Sequence, residues 1–275
     1  MLFRRRPNGT HQHPEPAQTP PAVRTEDLRK TYRAGAIAVE ALRGVDLSVA
    51  PGELVAIMGP SGCGKTTLLN CIAGLESDFS GEIWLAGTPL KSLSDGRRAK
   101  LRARATGFIF QSFNLLPTLN VLENVEMPLL IAGLRGGEAR ARTLAMLEAV
   151  GLGDRLCHRP AALSGGQQQR VAIARALVNE PAIVFADEPT GNLDSESSAE
   201  IMALIRRLNR EQGQTFVIVT HAPDVAESAN RVIRMRDGRI VADDARLPTA
   251  SLPPLPLELE PAGATAEAPV AEAAE

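Results

Sequence analysis

The chain has 275 residues, 44% hydrophobic and 23% charged, with 30 Lys and Arg against 32 Asp and Glu for a formal net charge of −2. The length suits one large domain or two small ones, and the near-zero balance excludes the basic surface that a nucleic-acid partner needs. No apolar run approaches the 18 or so residues of a membrane span, and three cysteines, an odd number, make no disulfide framework and point to a reducing cytosol.

The chain opens on Arg4, Arg5 and Arg6 with no apolar stretch behind them, so no secretory signal is expected. Residues 1–22 are rich in proline and polar side chains, and residues 247–275 in proline, alanine and glutamate without aromatics. Both read as disordered tails. His11 and His13 make a His-x-His pair, which can bind metal but in such an arm reads as solvated. The folded portion is then 23–246, and without an internal repeat it holds one nucleotide unit. From Val23 to Gly52 apolar and polar residues alternate, with turn signals at Ala34-Gly35 and Pro51-Gly52, the pattern of antiparallel strands. Tyr32, the single tyrosine, falls near the end of the first. It fits equally an edge aromatic or a ring that stacks on adenine.

Leu54–Met58 is short and apolar, a buried strand. Gly59-Pro60-Ser61-Gly62-Cys63-Gly64-Lys65-Thr66 follows: glycine, four residues, glycine, lysine, then threonine, the phosphate-loop pattern. A helix from Thr67 to Gly74 completes the strand–loop–helix context. The glycines let the backbone turn so that successive N–H groups face a polyphosphate. The helix N-terminus adds roughly half a positive charge. Lys65 is placed to reach the β- and γ-phosphates, and Thr66, next to Thr67, to put its hydroxyl on Mg²⁺. Cys63, inside the loop, reads as a small filler.

Gly81–Gly87 returns to a strand, and Arg97, Arg98, Lys100, Arg102 and Arg104 mark a solvated helix face. Gly107–Gln111 is another short strand, closed by Gln111. Between Ser112 and Leu163 the pattern turns helical, with Leu144, Leu147 and Val150 expected on one face. Strands on both sides make this a helical subdomain, about 112–165, inserted into an α/β core. Ser164-Gly165-Gly166-Gln167 opens the next helix. Ser164 suits an N-cap, and the same hydroxyl, free N–H groups and dipole also make a second anion site. Ala182–Ala186 is a buried strand ending in Asp187-Glu188, at the strand edge where open α/β sheets bind ligands. Asp187 fits the acid that holds Mg²⁺, and Glu188 is placed to point at water. Asp194 closes a turn before a helix from Ser195 to about Gln212. Thr215–Thr220 is a further buried strand ending at His221, within reach of a terminal phosphate. Arg231–Met235 and Arg239–Val241 pair across Asp237-Gly238.

These motifs, in this order, resemble the nucleotide-binding subunit of ATP-binding-cassette transporters over residues 23–245. The five-residue Leu163-Ser164-Gly165-Gly166-Gln167 run is the most specific of them. The resemblance implies an α/β fold: a phosphate-loop NTPase core with an N-terminal antiparallel β subdomain and an inserted α-helical subdomain. It implies ATP and Mg²⁺ as cofactors, Tyr32 stacking on adenine, Gln111 contacting Mg²⁺ or water, and Asp194 in the site. It implies a head-to-tail homodimer in which each ATP lies between one chain's phosphate loop and the other's Ser164 loop. Glu188, His221 and Lys65 are then the catalytic residues. Gly107–Pro117 and Ala186–Ser195 narrow the resemblance to the subfamily of lipoprotein release, macrolide or peptide export and cell-division signalling. It therefore implies an ATPase on the inner face of the cell membrane, driving integral membrane permease subunits, or a regulatory ATPase that moves no cargo. Gly191-Asn192-Leu193-Asp194 departs from the family's more frequent Ser-Ala-Leu-Asp.

Overall fold

A computed structural model describes residues 20–35 and 37–245. The expected tails lie outside the described residues, except Pro20–Ala22. Ala22, expected in the first tail, is buried and donates its N–H to Val49 O at 2.9 Å, so the residue just before β1 is already anchored to the sheet.

Two sheets form the frame. In chain order the strands are β1 Val23–Ala34, β2 Ile37–Val49, β3 Leu54–Met58, β4 Ser80–Leu85, β5 Thr88–Pro89, β6 Thr106–Phe110, β7 Ile183–Asp187, β8 Phe216–Thr220, β9 Arg231–Arg236 and β10 Arg239–Ala245. The first sheet is antiparallel, ordered β2-β1-β4-β5. The second is ordered β10-β9-β3-β8-β7-β6, parallel except for the β9–β10 hairpin. The helices are α1 Lys65–Ile72, α2 Asp95–Ala105, α3 Val121–Ile131, α4 Gly136–Ala149, α5 Gly165–Leu177, α6 Ser195–Gln212 and α7 Pro223–Glu227. This is the expected α/β architecture.

Strands β3, β7 and β8 are apolar at nearly every position because both faces of the parallel sheet are covered. Leu54 and Ala56 of β3 point into a core shared with α3–α6, and Val55 and Ile57 into a core shared with α1 and the antiparallel sheet. Likewise Val184 and Ala186, and Phe216 and Ile218, face the helices, while Ile183, Phe185, Val217 and Val219 face the other side.

The helical block carries one departure. Leu147 and Val150 are buried, but Leu144 is 40% exposed. Ala139, Thr143, Leu147 and Val150 make the inner stripe instead, spaced four, four and three apart. Thr143 fits there because its hydroxyl donates to Ala139 O at 2.8 Å. The stretch from Gln111 to α3 is irregular, and buried Asn124 pins it. Its Nδ2 donates to Leu116 O, Leu119 O and Asn120 O at 3.0–3.1 Å, and its Oδ1 accepts from Leu116 N–H at 2.9 Å.

Candidate nucleotide site

The C-terminal ends of the parallel strands open onto a cleft of about 770 Å³. Its floor is the loop between β3 and α1. Gly64 caps α1 at φ +102, and a Cβ there would meet Ala41 O at 2.5 Å; a Cβ on Gly59 would meet Met235 O at 2.3 Å. Glycine is needed at both positions for contact, and at Gly64 also for conformation. Lys65 is nearly buried, and its Nζ donates to Gly59 O at 2.8 Å and Pro60 O at 3.0 Å, which holds the ammonium across the loop mouth. Cys63 is buried, as a filler should be. Its backbone oxygen accepts from Gly238 N–H at 3.0 Å, and Gly238 O accepts from Arg43 N–H at 2.9 Å. The β9–β10 turn thus buckles the loop to β2.

Register brings the acids to the same edge. β8 lies between β3 and β7, with Met58 opposite Thr220 and Asp187 opposite Val219. Burial pushes the Asp187 carboxyl up from its ordinary value, and the Glu188 carboxylate adds to that; the Thr66 hydroxyl and Lys65 ammonium pull it back. Glu188 has a left-handed backbone, φ +48, the kind of strain that clusters at functional sites. Its N–H bonds Val219 O at 2.9 Å. Thr220 Oγ1 donates to Glu188 Oε2 at 3.1 Å, and His221 Nδ1 lies 2.7 Å from Oε1. Two side chains from the end of β8 therefore aim this carboxylate.

Of the sequence-predicted residues, Ser61, Gly62, Gly64, Lys65, Thr66, Thr67, Gln111, Asp187, Glu188 and His221 line the cleft. Gly59, Pro60 and Cys63 support it from behind. Tyr32 lies beyond the lining: its ring has Lys30 Nζ 4.8 Å from its centroid, and its hydroxyl donates to Glu76 Oε1 at 3.3 Å. Asp194 is committed elsewhere, as N-cap of α6, accepting from Ser197 N–H at 2.8 Å and Ser197 Oγ at 3.1 Å. Those Ser197 bonds hold its carboxyl below the usual range. Ser164 caps α5 in a reciprocal box with Gln167, and Ser164–Gln167 lines no part of this chain's own cleft. Sequence reasoning missed Glu40, Arg43 and Asp237 in the wall. Arg43 and Glu40 sit in an ordinary strand pattern, and Asp237-Gly238 signals only a turn, so no local cue marks them.

The donors suit Mg²⁺. No group of three or more His, Cys, Asp and Glu converges among the described residues. One carboxylate, Asp187, and one hydroxyl, Thr66, meet at the loop, and Mg²⁺ characteristically takes few protein oxygens and completes its shell with water and phosphate.

Residues 42–191 match the family model described as ABC transporter. The chain belongs to the ABC transporter family. Individual relatives match over most of this chain. The chain is 50% identical to the lipoprotein-releasing system ATP-binding protein LolD of Pseudomonas fluorescens, over 78% of this chain and 95% of that protein. It is 49% identical to the macrolide export ATP-binding/permease protein MacB of Marinobacter nauticus, over 85% of this chain but 36% of that protein. The chain thus spans about a third of the macrolide-export relatives it matches. Among solved structures, a dimeric post-hydrolysis state of the ATP-binding cassette MJ0796, bound to ADP and Pi, aligns at TM-score 0.75 and 44% identity, covering 81% of this chain and 98% of that one. The ABC cassette fold expected from the motifs is therefore the fold found.

Proposed function

We propose that this chain is the ATP-hydrolysing subunit of an ABC transporter complex. It works as a head-to-tail homodimer on separate integral membrane permease subunits, at the inner face of the cell membrane. Lipoprotein release and macrolide export are the functional types that the names of the relatives suggest. One observation carries the reading: the phosphate-loop lysine, the half-buried Asp187 and the oriented Glu188 converge on a single cleft.

The chemistry is in-line attack of water on the γ-phosphate. The loop N–H groups and Lys65 hold the β- and γ-phosphates and offset the charge that grows on them. Mg²⁺, held by Thr66 and Asp187 beside Gln111, supplies further charge neutralisation when bound. Glu188 takes the proton of the attacking water, and Thr220 and His221 fix the direction from which it does so. Protonated, His221 can donate Nδ1–H to Glu188 and Nε2–H to a γ-phosphate oxygen, which reconciles the bond to Glu188 with a phosphate role. Tyr32 stacks on adenine at the outer end of the cleft. The Ser164–Gln167 turn, with Ser164 exposed, and Asp194 belong to the second copy's site, so ATP closes the dimer and hydrolysis releases it.

Glu188→Gln tests this. The amide keeps the size of the carboxylate but cannot take a proton, so turnover should fall at least about 100-fold. Lys65, Thr66 and Asp187 remain, so nucleotide should still bind and hold a dimer on size-exclusion chromatography. Turnover near the parent rate would remove Glu188 from its assigned role.

A further inference from the structure

Gln111 directly follows β6, and Asn192 lies in the turn after Glu188, 81 residues on. The two side chains meet in a two-way contact. Asn192 Nδ2 donates to the backbone oxygen of Gln111 at 3.1 Å, and Gln111 Nε2 donates to Asn192 Oδ1 at 3.2 Å. A backbone carbonyl only accepts. That fixes which end of the Asn192 amide faces it, and leaves Oδ1 for the Gln111 side chain. Oδ1 in turn only accepts, so it takes Nε2 and turns Gln111 Oε1 away. The polarity of the whole chain of bonds is thus set by one main-chain oxygen.

We propose that Asn192 is a positioning residue that determines which end of the Gln111 amide faces the metal–nucleotide site. The proposal rests on the reading above that Gln111 stands beside Mg²⁺. A hard cation takes amide oxygen and never the NH₂ end. The two ends of a glutamine amide are nearly the same size, so without a partner both orientations are populated and part of the population presents NH₂ to the ion. Asn192 removes that ambiguity. Gly191 assists: a Cβ there would lie 2.8 Å from Gln111 Nε2 and 3.1 Å from its Cδ, so a larger residue would push the amide from its present seat on the turn. The turn itself stands on its own backbone bonds, Gly191 N–H to Glu188 O at 3.0 Å and Leu193 N–H to Thr190 O at 3.1 Å. Removing the Asn192 side chain should leave it folded.

The test is a titration of the full chain with Mg²⁺, reading the affinity of a fluorescent trinitrophenyl-ATP that is first measured in EDTA. Asn192→Ala should bind the metal-free nucleotide within about twofold of the parent. It should need about five to ten times more Mg²⁺ for half of the metal-induced tightening, the factor one lost hydrogen bond typically costs an equilibrium. Gly191→Ala should shift the Mg²⁺ midpoint in the same direction. Gln111→Ala should shift it too, and Gln111→Ala/Asn192→Ala should be no worse than Gln111→Ala alone, because Asn192 acts only through that amide. If Gln111→Ala is impaired while Asn192→Ala titrates like the parent, or if the two effects add, the positioning role is wrong and the metal reading of Gln111 stands. If Gln111→Ala itself titrates like the parent, that reading fails and takes the proposal with it.

Discussion

Cys71, fully buried in the last turn of α1, reports on the core beneath the helix that follows the phosphate loop. Burial, reinforced by the Glu76 carboxylate and opposed by Lys30, pushes its thiol up from 9.0 to about 12. A raised folded-state value means that folding keeps the proton on. Below pH 9 both states are neutral and nothing is lost; between pH 9 and 12 the unfolded thiol ionises while the folded one does not, and stability falls. Denaturant unfolding of the parent should therefore weaken with pH faster than that of Cys71→Ala across this window, by at most about 1.4 kcal/mol per pH unit. Parallel slopes would mean that the thiol is not sequestered. Such individual chemistry was legible in the sequence wherever it sat in a local motif: Lys65, Thr66, Asp187 and Glu188 all reach the cleft. The pairings were not legible. His221 with Glu188 and Asn192 with Gln111 join residues 33 and 81 apart, and sheet register, not spacing along the chain, decides them.

Among the elements, α5 has a capping duty at its start and, on the proposed function, a second duty at the same end. Ser164 Oγ accepts from Gln167 N–H at 3.3 Å, while Gln167 Oε1 accepts from Ser164 N–H at 3.0 Å, a capping box that stabilises the helix whether or not a phosphate is near. Substitution can separate the duties. Aspartate caps a helix about as well as serine, but it sets a negative charge where the second copy's γ-phosphate would rest. Ser164→Asp should unfold within about 0.5 kcal/mol of the parent in urea, yet lose ATP turnover. Retained turnover would confine Ser164 to capping, and lost stability would leave the two duties entangled. Element identity was largely readable, because strands buried on both faces give unbroken apolar runs and α3, α5 and α6 begin at capping residues. The failures were short or hidden. α7 has five residues, with Pro223 at its start as the one cue. β5 has two residues and exists only because β4 pairs with it. Leu144 went to the wrong side because Thr143, polar on paper, satisfies its hydroxyl within its own helix and takes the inner place.

At the scale of the whole molecule the dimer reading makes a complementation claim. Lys65→Ala destroys the floor of its own cleft, and Ser164→Arg destroys only what it offers to the other copy. Each should be inactive alone. Mixed, they form some dimers with one intact composite site, and part of the turnover should return; no recovery in dimers confirmed to be mixed would place the whole site within one chain. The central sheet has a consequence of its own for anyone who mutates this protein at scale. Because its strands alternate between two cores, the parity of a residue number is an address. In β3, β7, β8 and β9 the even positions, such as Leu54, Val184, Ile218 and Val232, speak to the helical layer, and the odd ones, such as Ile57, Phe185, Val217 and Ile233, to the layer under the phosphate loop. In β6 the sense reverses, with Ile109 on the helical side and Phe108 on the other. A saturation scan of these strands should resolve into two interleaved combs: truncations in one loosen the grip on nucleotide, and those in the other loosen the helices that the Ser164 turn rides on.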